Sequence, residues 1–350
     1  MNATDQDILH LESLYQGRKA YHGELHDHAA TGGTSDGKCT LTQWKEGMAA
    51  LSLDFATIVD HKQVLHMYLP EWDDRIFIGG TEPGTGMKDK SLEKGWMHYN
   101  MLFAAPNPLE ELLEQFEEYQ FTGGWDGHFG YPKFTTERFR QVIATVREKG
   151  GFFVHPHPKQ CIQSDDPLDY WFADETGLEV IYTFRDTRDG DKTAANYKLW
   201  TDLLALGKRV WATAGNDEHS APSDKALTTI YAEEKSSKCY IRHLRTGDFV
   251  CGNVGIRMCV GNTVMGGQCA LSGRRLVLSV GDFHKSVLDP SHTYRVDLLS
   301  SQGLVCSRDI SCTENTYLAV DTEDHAFYRA EVFDTTLNSR IAIGNPIWNK

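Results

Sequence analysis

The sequence lacks the features of membrane-spanning, exported and polyanion-binding proteins. No stretch approaches 18 consecutive apolar residues, so we expect no transmembrane helix. Residues 1–7 are polar and acidic, without the basic stretch and apolar run of a signal peptide. Lys and Arg number 35 against 49 Asp and Glu, a formal net charge of −14, which disfavours binding to nucleic acid or to an anionic membrane. We therefore expect a cytoplasmic protein that binds neither.

The eight cysteines are scattered and never form a C-x-x-C pair. This spacing argues against a zinc-finger knuckle and against a thioredoxin-like redox site. With no export signal, we expect reduced thiols, most of them small buried hydrophobic side chains. The sequence also contains no internal repeat and no low-complexity segment.

The chain of 350 residues is long enough for about two domains. From residue 20 to about residue 235, short apolar runs alternate with amphipathic helical patterns, which favours a parallel sheet or a β/α barrel. The predicted helices are Leu109–Tyr119, Phe134–Lys149 and Thr193–Leu206, and the predicted strands are Tyr21–His26, Phe55–Val59, Ile76–Gly79, Gly151–His155, Leu178–Tyr182, Val210–Ala214 and Thr228–Tyr231.

After residue 250 the pattern changes to a period of two, as in Tyr294-Arg-Val-Asp-Leu, with glycine-rich turns between short apolar runs. This pattern predicts a small antiparallel β-sandwich of about 100 residues. The predicted fold is therefore α/β, with a barrel domain over residues 1–250 and a sandwich domain over residues 251–350.

Histidine is abundant, with 15 residues, and several lie at or just beyond the carboxyl end of a predicted strand. That edge is where barrels and open α/β sheets bind ligands. Imidazole and carboxylate groups together are the ligands expected for Zn, Mn or Fe. The groups that would converge there are His26 with His28, Asp60 with His61, Glu82, His155 with His157, and Asp217 with His219.

These residues also resemble the motifs of a known family, the PHP (polymerase and histidinol phosphatase) superfamily. His26-Asp-His28, Thr34-Ser35-Asp36-Gly37 and Val59-Asp60-His61 resemble its opening H-x-H, S-D-G and T-D-H motifs. Further along, Gly80-Thr81-Glu82 resembles its bridging glutamate, and Gly95-Trp-Met-His98-Tyr-Asn100 is similar to the G-H-x-N-x-L segment of the carbaryl-hydrolase-like branch. Val154-His155-Pro156 and Gly215-Asn-Asp217-Glu-His219 are similar to its later H-P and G-S-D-x-H motifs.

The resemblance implies a distorted (β/α)7 barrel that carries two or three divalent metal ions, with a small C-terminal β domain as in that branch. It places four residues around one metal: His26, His28, Glu82 and Asp217. Glu82 would bridge to a second metal completed by His98 and His155, and Asp36, His61 and His219 would hold a third.

Two departures from the family pattern concern the second and third metals. Asp36 lies eight residues after His28, slightly further than usual, which weakens the third site. The long segment between His98 and His155 contains His128, an alternative ligand that we interpret instead as a loop residue bordering the substrate. We interpret His157 as a neighbour of the metals or a substrate contact.

The chemistry expected of such a centre is hydrolysis. Adjacent divalent cations make hydroxide available near neutral pH and stabilise charge on the attacked group. Hydroxide bridging the metals would attack a small organic phosphate, with Glu82 as shared ligand and Asp217 or His219 as proton carrier. Lys62 and Arg185 would supply the cationic contacts of a phosphoesterase.

Several alternatives remain open from the sequence. The same motifs fit a hydrolase of carbamates, carboxylic esters or amides. Gly33-Thr-Ser35-Asp-Gly37 also fits the G-x-S-x-G nucleophile elbow of serine hydrolases, although the residues before Ser35 do not predict the strand that this motif needs. A non-enzymatic metal-storage or sensing module is a further alternative, and the β domain could form a homo-oligomer interface.

Overall fold

The computed structural model describes residues 2–92, 95–119, 132–182 and 191–350. The chain divides into two compact units, each made of more than one stretch. The first, here called the mixed unit, comprises Gly23–Ala226 and Lys235–Arg245. The second, here called the β unit, comprises Met1–His22, Leu227–Glu234 and Thr246–Lys350. The sequence pattern predicts two consecutive domains that meet after residue 250. The β unit differs from the second of these because it also includes two earlier segments, Met1–His22 and Leu227–Glu234.

The described residues contain seven α-helices and 22 strands. Among them, no helix combines the length and apolar character needed to cross a membrane. The helices are α1 (Asp5–Leu14), α2 (Leu41–Leu51), α3 (Pro106–Gln115), α4 (Thr136–Glu148), α5 (Pro158–Cys161), α6 (Asp191–Ala205) and α7 (Ser237–Thr246). The first 11 strands are β1 (Lys19–Gly23), β2 (Ala56–Ile58), β3 (Phe77–Thr81), β4 (Gly84–Met87), β5 (Met97–His98), β6 (Asn100–Phe103), β7 (Lys133–Phe134), β8 (Phe152–His155), β9 (Thr176–Tyr182), β10 (Val210–Gly215) and β11 (Thr228–Ala232). The others are β12 (Phe249–Gly252), β13 (Val254–Val260), β14 (Thr263–Val264), β15 (Gln268–Cys269), β16 (Arg275–Phe283), β17 (Tyr294–Ser300), β18 (Gly303–Ile310), β19 (Thr316–Asp321), β20 (Phe327–Asp334), β21 (Ser339–Gly344) and β22 (Ile347–Asn349).

A six-stranded sheet forms the centre of the mixed unit, in the order β10-β9-β8-β6-β3-β2. Strands β8, β9 and β10 are parallel to one another, and β2 is parallel to β3, as strand–helix alternation predicts. Strand β6 is antiparallel to both neighbours, β3 and β8. The sheet is therefore mixed, whereas the strand–helix alternation of the sequence favours a parallel sheet or a β/α barrel.

The two outer strands of this sheet both approach the segment from Gly23 to Asp27. Asp27 forms isolated parallel bridges with Ile58, at the end of β2, and with Glu218, just beyond β10. Gly23 forms another such bridge with Phe55. The sheet thus curls round, but single bridges rather than continuous ladders join its edges, and a full (β/α)7 barrel is not present in the described residues.

Helices of the mixed unit begin at the signals that the sequence provides. Thr40 caps α2 in a capping box with Gln43, and the Thr135 hydroxyl accepts a hydrogen bond from Arg138 N at the start of α4. Helix α4 buries Phe139, Val142 and Val146 at helical spacing, which removes one apolar face from water. The prediction for Phe134–Lys149 is thereby matched within two residues at its start and one at its end.

The β unit contains two mainly antiparallel sheets. One has nine strands, with the main order β1-β11-β12-β21-β20-β17-β18, and the other has the order β14-β13-β16-β19. Apolar side chains from both sheets form one buried cluster, including Met258 and Leu278 from the smaller sheet and Val296 and Val332 from the larger. Strand β11, which the sequence pattern assigned to the barrel domain, pairs with β12 in the larger sheet instead.

Candidate metal centre

The segment that joins the edges of the curled sheet carries the first two predicted ligands, His26 and His28. Backbone hydrogen bonds hold it in extended conformation: Asp27 N donates to Thr57 O, and His28 N donates to Glu218 O. Because side chains alternate along an extended segment, His26 and His28 share one face while Asp27 takes the other. Both imidazoles are buried, at 1% and 0% exposure.

Glu82, one residue beyond β3, lies among several of these histidines. Its Oε1 is 3.2 Å from His26 Nε2, and its Oε2 is 3.2 Å from His28 Nε2. Asp217 Oδ1 is 3.3 Å from each of the same two nitrogens. His26, His28, Glu82 and Asp217 thus form one group whose ligand atoms all lie within 4.8 Å of one another. The first predicted ligand set is brought together in full.

A second group shares Glu82 with His98 and His157. Glu82 Oε1 is 3.0 Å from His98 Nδ1 and 3.1 Å from His157 Nε2. His98 precedes β6, and because β6 is antiparallel its amino end lies at the edge where the parallel strands end. His98, the last residue of β5, therefore approaches the centre from the segment that leads into β6.

His155, predicted as a ligand of this second group, is not among its members; His157 is. His155 ends β8 and packs against Phe172, with ring centroids 5.7 Å apart. Burial and the neighbouring His157 lower the pKa of His155 to about 3. After Pro156 the backbone of His157 turns left-handed, at φ 29°, and this turn carries the His157 ring to Glu82.

The third predicted set, Asp36, His61 and His219, is also brought together, with His28 beside it. Asp36 Oδ1 is 3.3 Å from His219 Nε2 and 3.6 Å from His61 Nε2. The Asp36 side chain is 43% exposed, so this group lies nearest to solvent. Three groups of ligand atoms, with Glu82 common to two of them, therefore adjoin one another.

Hydrogen bonds to the far side of the rings orient three of the imidazoles. The acceptors lie near Nδ1 in each case: Glu179 Oε1 at 3.2 Å for His26, Glu82 O at 2.9 Å for His61, and Asp217 O at 2.8 Å for His219. A ring that donates from Nδ1 presents the Nε2 lone pair to the centre. Such partners fix the tautomer of metal-binding histidines in proteins.

Glu179 contacts two of these histidines and was not predicted as a site residue from the sequence. It is 2% exposed, and its other oxygen accepts a hydrogen bond of 2.8 Å from His157 N. Gly215 makes room for it, since a Cβ at position 215 would lie 2.1 Å from Glu179 Oε1. The available signal was a glutamate inside the apolar run Leu178-Glu-Val-Ile-Tyr182.

Asp60 organises the loop between His28 and Asp36. It is fully buried and accepts hydrogen bonds from Ala29 N, the Ser35 hydroxyl, the Thr31 hydroxyl and His66 Nδ1. These bonds fix the residues that lead to Asp36. Asp60 therefore acts on the third group through the backbone.

The charges of the ligand atoms suit a cation. Burial lowers the pKa of His28, but its interactions with Asp217 and Glu82 outweigh burial and raise that pKa to about 9. The carboxylates thus stabilise a positive charge at this place, which a proton carries without a metal ion and which a bound metal ion would supply instead. Burial would raise the pKa of Glu82, yet the charges of His98 and His26 hold it well below the ordinary value. His26 Nε2 and His28 Nε2 are buried without a geometrically adequate hydrogen bond. Ionised carboxylates and buried imidazole nitrogens that lack partners are a donor set for a divalent metal.

The remaining predicted site residues fall outside these groups. Lys62 follows His61 at the same edge, with a left-handed backbone at φ 53°, and partial burial lowers its pKa. His128 and Arg185 lie outside the described residues. Ser35 is in a loop, not after a strand, and its hydroxyl bonds to Ala29 O and Asp60. That local geometry is not a nucleophile elbow.

No protein-family model matches the chain, and no curated protein matches it. Among solved structures, the chain is similar to an amidohydrolase from Chromobacterium violaceum with bound sulfate and no metal, at 14% identity and a TM-score of 0.37, over 57% of this chain and 87% of that one. It is similar to Endonuclease Q in complex with a duplex carrying an abasic lesion, at 12% identity and a TM-score of 0.41, over 65% and 57%. A further similar structure is a lesion-specific endonuclease from Pyrococcus furiosus, with the same identity and TM-score, over 65% of this chain and 56% of that one. The chain thus spans somewhat more than half the length of these two endonucleases.

Proposed function

We propose that the protein is a metal-dependent hydrolase, with a small organic phosphate ester as substrate. The observation that supports the proposal is that three groups of imidazole and carboxylate ligand atoms lie next to one another, and that two of these groups share Glu82. We assign the first metal to His26, His28, Glu82 and Asp217, the second to Glu82, His98 and His157, and the third to Asp36, His61 and His219. Zn, Mn and Fe suit these ligands.

Bound divalent ions would supply a water of lowered pKa and positive charge next to the attacked group. A centre with room for two or three cations favours a phosphoryl group over a carboxylic ester or amide, because the phosphoryl oxygens carry more charge. Lys62 adds a cation at the same edge. The carbaryl-hydrolase-like resemblance of the sequence keeps carbamates, esters and amides as the competing substrate class.

Residues around the ligands would orient the imidazole rings, orient Asp217 and transfer a proton. Glu179 and the backbone oxygens of Glu82 and Asp217 hold imidazole rings in place. The Tyr182 hydroxyl donates to Asp217 Oδ2 at 3.3 Å, which leaves Asp217 Oδ1 facing His26 and His28. His219 is 22% exposed. We assign it the transfer of a proton between Nε2 and solvent when the third metal is absent.

The test is metal analysis of the purified protein together with a panel of phosphate monoesters, phosphate diesters, carbamates and carboxylic esters. We expect at least two metal ions per chain and hydrolysis of phosphate esters. Asp217→Asn should lose metal and activity together. Asp321→Asn, at an exposed aspartate of the β unit, is the matched control and should change neither.

Four outcomes would contradict the proposal. Fewer than two metals per chain in active protein would refute a multinuclear centre. Metal loss in Asp217→Asn with unchanged activity would remove the metals from the reaction. Hydrolysis of carboxylic esters or carbamates alone would replace the phosphoesterase by the competing class, and loss of activity in Ser35→Ala with all metals retained would favour a serine hydrolase.

A further inference from the structure

A cavity of about 220 Å³ lies in the mixed unit at the amino ends of β8 and β9. Gly151 and Phe152 border it at the start of β8, and Glu175 and Thr176 border it at the start of β9. The candidate metal ligand His157 follows the carboxyl end of β8. The cavity is therefore separate from the metal centre, at the opposite edge of the sheet.

Three arginines line this cavity: Arg140 and Arg147 from α4, and Arg245 from α7. Arg140 donates from Nε to Phe172 O at 3.0 Å and stacks over Trp171. Arg245 donates from Nη2 to Arg147 O at 2.9 Å, and its Nε is buried without a hydrogen-bond partner. Backbone oxygens hold both side chains, and an aromatic face also holds Arg140. Within the described parts of the chain, neither of these two guanidinium groups forms an ion pair.

The carboxylates at the cavity already have partners. Glu175 pairs with Arg147 and, at 2.7 Å, with Arg209. Asp174 Oδ1 accepts hydrogen bonds from Arg209 N at 3.0 Å and from Trp171 Nε1 at 3.2 Å. The lining thus has an excess of positive charge, located on Arg140 and Arg245.

We propose that this cavity binds a small organic anion whose phosphate or carboxylate group is held by Arg140 and Arg245. Guanidinium groups donate two parallel hydrogen bonds to such oxygens and are favoured wherever they are recognised. Ile143, Val146 and Phe153 form an apolar part of the lining. This combination suits a ligand with one anionic end and one short apolar end, such as an aryl phosphate or an aryl carboxylate.

The experiment is calorimetric titration of the full chain with its metals, using benzoate and phenylphosphonate, which has no ester bond to hydrolyse. Substitutions in the cavity leave the metal centre unaltered, so a change in affinity reports on the cavity. We expect each of Arg140→Gln and Arg245→Gln to weaken binding about tenfold or more. Arg75→Gln removes an arginine that is 72% exposed and paired with Asp73, and it should leave binding unchanged.

Because Arg245 also bonds the end of α4, its loss could destabilise the fold. A second pair of variants tests the cavity without altering an arginine. Ala144 is exposed on α4 and lines the cavity, so Ala144→Glu should repel the anion while Ala144→Gln, of equal size, should not. Equal affinities for these two variants, or no binding at millimolar ligand, would overturn the proposal. Stronger binding of only one probe would identify the anionic group.

Discussion

The two units of the chain bury charged side chains in different ways. In the β unit arginines neutralise the carboxylates, as where Arg329 and Arg340 both contact Glu331 and where Arg257 contacts the half-exposed Glu12, around a large apolar cluster. In the mixed unit several imidazoles share the oxygens of one glutamate, Glu82. Guanidinium groups have no lone pair to offer a metal ion, whereas imidazole nitrogens do. The difference is consistent with a structural role for the charged groups of the β unit and with the proposed metal centre in the mixed unit.

The largest expected effect tests the shared glutamate. Glu82→Gln keeps the size of the side chain but removes the charge that faces His26, His28, His98 and His157. We expect loss of bound metal and about a thousandfold loss of activity, or about 4 kcal/mol of transition-state stabilisation. Metal content and kcat/KM measure it. Full metal content with normal activity in this variant would contradict the proposal that Glu82 is a shared metal ligand in the mixed unit.

The apolar cluster of the β unit gives the converse test. Leu278 is fully buried between Met258 and Leu318 on neighbouring strands, so Leu278→Ala should cost about 2–5 kcal/mol of unfolding free energy. The matched variant Leu304→Ala, at a residue 62% exposed on β18, should cost less than about 0.5 kcal/mol. Denaturant unfolding measures both. Activity per folded molecule should not change, and a loss in Leu278→Ala would give the β unit a part in the chemistry.

A smaller effect is expected from the residue that orients His26. Glu179→Gln retains a hydrogen-bonding group near His26 Nδ1 but removes its charge. Outer partners of metal ligands are worth about 10- to 100-fold in affinity, so we expect metal binding to weaken within that range while the fold persists. Competition with a chromophoric chelator measures it, with Glu148→Gln on the exposed side of α4 as the control. Unchanged affinity would mean that Glu179 is structural only.

The smallest expected effect is on stability, through two buried carboxyl groups, Glu24 and Asp27, on the segment that carries His26 and His28. Burial raises the pKa of Glu24 from 4.5 to about 7, and burial with the charge of Glu24 raises the pKa of Asp27 well above its usual value. Between pH 4.5 and 7 the folded chain binds more protons than the unfolded chain, so stability contributed here falls as pH rises. Asp27→Asn removes one charge and should flatten this decline. Unfolding midpoints at pH 5 and pH 8 measure it, and an unchanged slope would contradict the assignment.

Much of the candidate site was predictable because the ligand residues follow buried strands. Apolar runs such as Phe55–Val59 and Val210–Ala214 indicate strands by composition alone, and the polar residues just beyond them are visible in the sequence. The convergence of His26, His28, Glu82 and Asp217 follows from the common direction of those strands. Their roles as metal ligands stay a prediction.

The existence and direction of strand β6 could not be predicted from the sequence. Asn100–Phe103 is only four residues long, too short for a periodic pattern to distinguish it from a loop. Its antiparallel direction depends on pairing with β3 and β8, which are distant along the chain. Strand β11 was misplaced for a related reason, since its own apolar residues fit either sheet and only its pairing with β12 assigned it to the β unit.

The amino-acid sequence shows which candidate ligands are available: histidines and carboxylates beyond buried strands, in a chain whose second part alternates with a period of two. Which of them meet depends on the tertiary structure. A left-handed backbone turn after Pro156 places His157 beside Glu82. His98 arrives from the segment that leads into an antiparallel strand, and Glu179 lies beside His26 Nδ1 where Gly215 leaves room. The physical reason is that local patterns set the direction of a side chain within its own element, whereas the distance between two ligand atoms depends on backbone turns and on pairings between remote segments.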